Sequence, residues 1–300
     1  MPGSRPRESG AAAPGRQLDP VTSVAVVGHI EWVRFAVVDH VPVPGEIIHA
    51  HEQFELAAGG GAVAAVQLQK LAGSASFFTA IGSDEYGAAA DRQLRAQDVD
   101  VHAGMRPVPQ RSAFTHLSAD HERTITVVGE RLVPHGDEPL DWEQLAGIDG
   151  VYFTGGDGAA LRQARRARVL VASARAMDVL ADAQVPLDAL VASASDAGER
   201  YASGDLDPEP TYVVRTQGEH GGQWQAKEGH TGTWAAAPLP GPPVDAYGCG
   251  DAFAAGLTFA LASGLEITKA LALAARCGAA TLSGRGPYTS QLTAGELNGR

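Results

Sequence analysis

A glycine-rich turn ends in an acidic residue directly before an apolar helix, within residues 245–256 (DAYGCGDAFAAG). Free N–H groups at a helix start, with the positive end of the helix dipole, can hold the negative charge of a phosphoryl group. Gly248, Cys249 and Gly250 would supply those amides, and Asp251 could accept a proton from an attacking alcohol. The residues therefore indicate group transfer to a hydroxyl. Asp251 could also be only the N-cap of the helix, a position that Asp favours.

The segments that must position this turn alternate between strand-like and helix-like patterns. The run VAVVG at residues 24–28 is typical of a buried parallel strand. Further strand-like runs begin at residues 76, 151, 169 and 212, and helix-like patterns cover residues 86–97, 161–166, 251–263 and 267–283, with another near Met177. Such alternation favours an α/β fold in which helices cover both faces of a mostly parallel sheet.

Two stretches outside this alternation, residues 31–55 and 99–128, predict a small β-sheet lid. The active site should lie beneath it, at the carboxyl ends of the parallel strands. Gly59, Gly60 and Gly61 open the first apolar helix, which indicates a close approach of the backbone to a ligand. Close helix packing would explain the three glycines as well.

Composition excludes several classes of partner. The formal net charge is −12, from 23 Lys and Arg against 35 Asp and Glu, which opposes binding to nucleic acid or to an anionic membrane. The one basic cluster is predicted to be a solvated helix face: Arg162, Arg165, Arg166 and Arg168. Two cysteines cannot build a disulfide framework and fit a reducing cytoplasm. No apolar run has the length of a membrane span.

The chain divides into two parts by composition. Residues 1–20 are rich in Pro, Gly, Ala and Arg without an apolar period, and are predicted to form a disordered leader. Residues 21–300 would form the folded domain, including the lid.

The GCGD turn resembles the C-terminal signature of the ribokinase/PfkB carbohydrate and nucleoside kinases, in which Gly-Ala-Gly-Asp precedes an apolar helix. Further segments resemble that family in the same order: VAVVGHIEWV, PGEIIHA, AGGGAVAAVQLQKLAG, AIGSDEYG, HERTIT and VVRTQGEHGG. Each motif is weak alone, but their shared order is specific and covers nearly everything after Val21. The resemblance implies a three-layer ribokinase-like fold and ATP-dependent phosphorylation of a hydroxyl on a sugar or nucleoside.

The resemblance also assigns roles around the GCGD turn. In the family the final Asp is the catalytic base and the preceding amides form the anion hole. These roles fall on Asp251 and on Gly248, Cys249 and Gly250, with Cys in place of the commoner Ala. Asp245 matches a leading acid that in several members helps to order a loop for a monovalent cation such as K⁺.

Nucleotide and metal residues follow from two further matches. In the T-x-G-x-x-G loop, Thr216, Gly218 and Gly221 would approach ATP. The family usually binds Mg²⁺ near an Asn-x-x-Glu, and here Asp196 and Glu199 have that spacing although Asn is absent. Glu199 is the stronger candidate, and its alternative is a solvent-facing helix acid.

Departures from the family pattern concentrate on the acceptor side. Glu31 stands where sugar kinases usually carry Asp or Asn, and Val63 stands where the family has a substrate-binding Asn. Candidate acceptor-binding residues are Glu31, Gly59, Gly60, Gly61 and Arg123, although Arg123 could be merely exposed. The departures predict either an altered specificity or a kinase-fold protein that binds ligands without turnover. Lids of this kind also suggest a homodimer.

Overall fold

The computed structural model describes residues 22–119 and 123–297. The predicted leader at residues 1–20 and the first two residues of the HERTIT motif lie outside the described residues. The strands are β1 (Val24–Val27), β2 (Glu31–Val37), β3 (Glu52–Ala58), β4 (Ala75–Gly82), β5 (Val99–Arg106), β6 (Ser112–Leu117), β7 (Arg123–Val128), β8 (Gly150–Phe153), β9 (Val169–Ser173), β10 (Ala189–Ser193), β11 (Tyr212–Thr216), β12 (Gly222–Ala226) and β13 (Thr231–Trp234). The helices are α1 (Gly60–Ala72), α2 (Glu85–Arg95), α3 (Gly158–Ala164), α4 (Met177–Ala183), α5 (Cys249–Ala262), α6 (Ile267–Leu282) and α7 (Ala294–Leu297).

Nine strands form the large sheet, in the order β13-β12-β11-β10-β9-β8-β1-β4-β5. The strands from β11 to β5 are parallel, whereas β12 and β13 pair antiparallel at one edge. The chain proceeds from β1 towards β4 and β5, and from β8 in the opposite direction towards β11. The strand order therefore reverses between β1 and β8, and in α/β sheets the carboxyl ends of the strands at such a point are the usual ligand-binding position.

Helices cover both faces of this sheet because the central strands are apolar on both sides. Val24 and Val26 of β1 belong to the core that includes α1, α5 and α6. Ala25 and Val27 point to the opposite face and pack in the core that includes α3 and α4. The predicted three-layer α/β architecture is confirmed.

A second, smaller sheet has the order β3-β2-β6-β7. Strand β2 pairs antiparallel with β3 and parallel with β6, and β6 pairs antiparallel with β7. The prediction that the whole range 99–128 belongs to the lid is wrong for β5, which pairs parallel with β4 in the large sheet. Val99 and Val101 are buried in the main core, so the strand completes a β-α-β unit through α2.

The basic cluster lies on the surface, as predicted, but only Arg162 belongs to a helix, because α3 ends at Ala164. Arg165, Arg166 and Arg168 pair with Asp188, Glu143 and Asp149 at 2.7, 2.7 and 2.9 Å. Among the described residues, no helix is both long and apolar enough to cross a bilayer.

Candidate active site

Helix α5 begins at Cys249, and its N-cap is Gly248 with a left-handed φ of 81°. Asp251 is therefore the third helical residue, so the alternative that it is only the N-cap is wrong. The N–H groups of the first turn, from Cys249 to Asp251, have no acceptor within the helix. A Cβ atom at Gly248 would lie 2.9 Å from Cγ1 of Val63, so both the backbone conformation and packing require glycine there.

The Asp251 side chain faces the N-terminus of α1. A Cβ atom at Gly60 would lie 2.7 Å from Oδ1 of Asp251 and 3.3 Å from Oγ1 of Thr154. The glycine therefore leaves room for the carboxylate, which makes no hydrogen bond or ion pair with any residue in the described ranges. Two helix N-termini converge on this carboxylate, and their dipoles favour negative charge nearby.

Burial raises the pKa of Asp251 to about 6, and the negative charge of Glu199 adds to this effect, while Arg175 opposes it. A carboxylate with this pKa is mostly ionised at neutral pH yet is a stronger base than an exposed Asp. The environment therefore suits Asp251 to the general-base role that the sequence predicts.

Glu31 lies on the other side of the same glycine loop. Its Oε1 is 2.7 Å from Nε of Arg111 and 3.6 Å from Nε2 of His29. A Cβ atom at Gly59 would lie 3.1 Å from Cγ of Glu31 and 3.3 Å from Cδ2 of His29. Because Gly59 precedes Gly60, the loop places Glu31 and His29 next to Asp251. Burial raises the pKa of Glu31, and Arg111 opposes the shift.

Gly61 and Val63, in the first turn of α1, also make packing contacts. A Cβ atom at Gly61 would lie 2.6 Å from the carbonyl oxygen of His29 and 2.9 Å from Cε2 of Phe77. Val63 is fully buried, and its side chain packs beside Gly248. Val63, which stands where the resemblance places an acceptor-binding Asn, therefore packs against the turn that begins α5.

The two acids proposed for a metal follow β10, and both pair with Arg175, which follows β9. Nε of Arg175 is 2.7 Å from Oε1 of Glu199, and its Nη2 hydrogen-bonds to Asp196. Burial raises the pKa of Glu199, whereas a backbone hydrogen bond from Gly198 lowers the pKa of Asp196. Sequence reasoning missed Arg175, although a lone Arg at the carboxyl end of a buried strand was an available signal.

The predicted nucleotide residues lie at the end of β11. The carbonyl of Thr216 accepts a hydrogen bond from Ala194, so this loop adjoins the one that carries Asp196. Gly218 has a φ of 58°, and a Cβ atom there would meet open space. A Cβ atom at Gly221 would lie 2.1 Å from the carbonyl oxygen of Trp234, so backbone packing alone requires this glycine.

Asp245 and Arg123 hold the turn before α5. The Asp245 carboxylate is 1% exposed and accepts hydrogen bonds from the amides of Tyr247 (2.8 Å) and Gly286 (3.0 Å). Arg123, from strand β7 of the small sheet, donates from Nη1 to the carbonyl of Ala246 at 3.0 Å. The small sheet therefore contacts the turn that leads into α5.

Neighbouring strand ends present these residues in one row. Five consecutive strands of the sheet are β11, β10, β9, β8 and β1. Thr216 ends β11, and the other four strands are followed by Glu199, Arg175, Thr154 and His29, respectively. Four strand spacings amount to about 19 Å. The predicted nucleotide residues lie at one end of this row, and Glu31 lies at the other. Asp251 lies between these ends, near Thr154, because both side chains adjoin Gly60.

Comparisons with known proteins identify the family and the fold. The profile of the pfkB family carbohydrate kinases matches residues 21–196 and 201–294. An ATP-dependent ribose-1-phosphate kinase from Halopiger xanaduensis is 28% identical over 280 residues, which cover 88% of this chain and 93% of the relative. Ribokinase from Arabidopsis thaliana, solved with ribose and ATP, superposes with a TM-score of 0.71 at 18% identity, covering 93% of this chain and 98% of that one. Adenosine kinase from Sinorhizobium meliloti gives 0.73 at 18% identity, with coverage of 93% and 99%. The chain belongs to the pfkB family of carbohydrate kinases.

Proposed function

We propose that the protein transfers the terminal phosphoryl group of ATP to a hydroxyl of a sugar or nucleoside, with Asp251 as the general base. The chain is an ATP-dependent kinase of the sugar and nucleoside class. The observation that carries the residue assignment is the Asp251 carboxylate, which lies between the Gly60 backbone and the free amides at the start of α5.

The proposed reaction assigns one step to each part of the site. Asp251 accepts the proton of the attacking hydroxyl, whose oxygen bonds to the terminal phosphorus as the bond to the ADP oxygen breaks. The amides at Gly248, Cys249 and Gly250 hold the charge on the transferring group. Thr216, Gly218 and Gly221 are proposed to approach the nucleotide. Open space at Gly218 supports this role, whereas the packing at Gly221 supports a structural one.

Two carboxylates beside the base fit a magnesium ion bound with ATP. Asp196 and Glu199 offer hard oxygen ligands, and Arg175 holds both side chains near Asp251. A bound Mg²⁺ would neutralise phosphate charge during transfer. A monovalent cation such as K⁺ is proposed near the turn that Asp245 orders, since this acid anchors two backbone amides there.

Glu199→Gln should weaken the dependence on magnesium. We expect the free Mg²⁺ concentration for half-maximal activity to rise by about 10-fold, the lower end of effects seen when a residue supporting a metal is removed. Activity would be measured against free Mg²⁺ at saturating ATP, with Glu143→Gln, an exposed acid that pairs with Arg166, as the matched control. An unchanged free Mg²⁺ concentration for half-maximal activity would assign Glu199 to another role.

The acceptor is proposed to bind beneath the small sheet, against Glu31, Gly59, Gly60, Gly61 and Arg123. Exposed apolar residues on the last strand of that sheet, Ile125, Val127 and Val128, support the proposed homodimer through the lid. The absence of nucleic-acid and membrane partners and a cytoplasmic location stay predictions from charge and cysteine content.

Release of ADP across a panel of sugars, sugar phosphates and nucleosides tests the function. The panel should include ribose, adenosine and ribose 1-phosphate, which the name of the Halopiger relative suggests. Turnover of one acceptor, abolished in Asp251→Asn, is the expected result. Nucleotide binding by calorimetry without turnover of any acceptor would instead favour a ligand-binding or regulatory protein with a kinase fold.

A further inference from the structure

Arg131, in the loop that follows β7, is a half-buried cation without an acidic partner. In the described part of the chain its guanidinium makes no hydrogen bond and no ion pair. Its neighbours differ, because Arg111 pairs with Glu31 and Arg175 pairs with Glu199. The acids Glu31 and Asp251 attract Arg131 only from a distance, and a partly desolvated guanidinium without a bonded acceptor is unfavourable unless a ligand supplies one.

The position of Arg131 is on the acceptor side of the site. Two residues further on, Cγ1 of Val133 would lie 3.3 Å from a Cβ atom at Gly155, and Nδ1 of His29 would lie 3.9 Å from the same point. Nη2 of Arg106 donates to the carbonyl of Val133 at 2.7 Å, which anchors this loop. Arg131 therefore lies near His29 and Glu31, at the far end of the row from Thr216.

The electrostatic surroundings of Arg131 favour an added negative charge. Burial lowers the pKa of Arg131 and the positive charge of Arg111 lowers it further, while the negative charges of Glu31 and Asp251 oppose the shift. Burial, followed by Arg131, also lowers the pKa of His29 well below its usual value, so this ring is neutral. Nδ1 of His29 is buried and has no hydrogen-bond partner among the described residues. In a chain with a net charge of −12, Glu31 already pairs with Arg111, so Arg131 is the cation left to meet an added negative charge beside the unpaired nitrogen of His29.

We propose that the acceptor is a phosphate ester of a small sugar. Its phosphate group binds Arg131 and Arg111 beside His29, and one of its free hydroxyl groups faces Asp251. The inference rests on the proposed kinase function and names its substrate class. Guanidinium groups bind phosphate oxygens in paired, charge-assisted hydrogen bonds, and Glu31 orients Arg111 for this contact. Gly59, beside Glu31, and Gly60, beside Asp251, have Cα atoms about 3.8 Å apart. Glu31, which holds Arg111, and Asp251 therefore flank consecutive residues of one loop, and the proposal places the phosphate at the first and the hydroxyl at the second.

Kinetics with matched acceptors test the proposal. For ribose, ribose 1-phosphate and ribose 5-phosphate, we expect one ester to exceed ribose in kcat/KM. Arg131→Gln should lower kcat/KM for that ester by about 10-fold to 100-fold, and much less for ribose, because a charge-assisted contact is lost. Arg131→Lys should restore part of the difference, since it keeps the charge without the planar fork. Arg166→Gln, at the exposed pair with Glu143, is the control for removing a surface arginine.

Three results would overturn the proposal. The first is a kcat/KM for ribose equal to that for its phosphate esters. The second is an equal loss of kcat/KM for ribose and for the ester in Arg131→Gln. The third is an effect of this substitution mainly on the KM for ATP, which would assign Arg131 to the nucleotide. Thermal unfolding and ADP binding establish that each variant is folded.

Calorimetry separates this inference from the kinase function. Binding of ribose and its phosphates is measured to Asp251→Asn saturated with ADP, with and without Arg131→Gln. Binding of an ester that depends on Arg131 supports the anion site even if no acceptor is turned over, in which case only the kinase function fails. Turnover of ribose with no Arg131-dependent binding of either ester leaves the kinase function intact and rejects the anion site.

Discussion

Replacement of Asp251 by Asn is expected to lower kcat by about 10²-fold to 10⁴-fold, the usual contribution of a general base. Asn has the shape of Asp but cannot accept the proton of the attacking hydroxyl. The fold should persist, because within the described residues the carboxylate makes no hydrogen bond that Asn would break. Substitution also removes a buried charge, so the free energy of unfolding should not fall. The measurement is ADP release with the best acceptor of the panel.

Asp182→Asn, at an exposed position of α4, is the matched control and should leave kcat near the parental value. ATP binding should change little in Asp251→Asn, since the proposed nucleotide residues lie along the row towards Thr216. A variant that keeps more than about a tenth of the parental kcat would be incompatible with a general base at this position.

Gly60→Ala should be the second most damaging substitution. The new Cβ atom would lie 2.7 Å from Oδ1 of Asp251 and 3.3 Å from Oγ1 of Thr154, so the carboxylate must move. Misplacement of a reacting group by about 1 Å can reduce a rate by about 100-fold, and we expect a loss of this size in kcat. Stability should be little affected, because alanine favours the helix that begins at Gly60.

Gly147→Ala provides the comparison, since a Cβ atom there meets no heavy atom within 4 Å. Circular dichroism and thermal unfolding would establish that both variants fold. Parental activity in Gly60→Ala would mean that Asp251 does not act from the position next to α1.

Sequence could predict those parts of the molecule whose structure and function depend on residues close together in the chain. The GCGD turn is one contiguous segment whose glycine, amides and acid are fixed by the start of one helix. The alternation of strands and helices likewise follows from apolar periodicity. Assignment of β5 to the lid failed because a strand with Val99 and Val101 has the same local pattern in either sheet, and only burial in the main core distinguishes them.

The arginines of the site could not be predicted from local pattern. Arg111 precedes β6, which pairs parallel with β2 from a distant part of the chain, and this pairing brings Arg111 to Glu31. Arg131 and Arg175 reach the site from two other loops. Conversely, Asp245 and Gly221 matched functional motifs, yet each makes contacts that account for it structurally: backbone hydrogen bonds for the acid and close packing for the glycine.

The pH dependence of phosphoryl transfer tests the role of Asp251 most directly. Because the pKa of this carboxyl is raised to about 6 and the base must be ionised, the rate should be constant above neutral pH and fall as pH decreases through about 6. Rapid-quench measurement of the transfer step with saturating ATP and acceptor isolates this rate from product release. A rate that is constant from about pH 4.5 to 8 would contradict the assignment of Asp251 as the base.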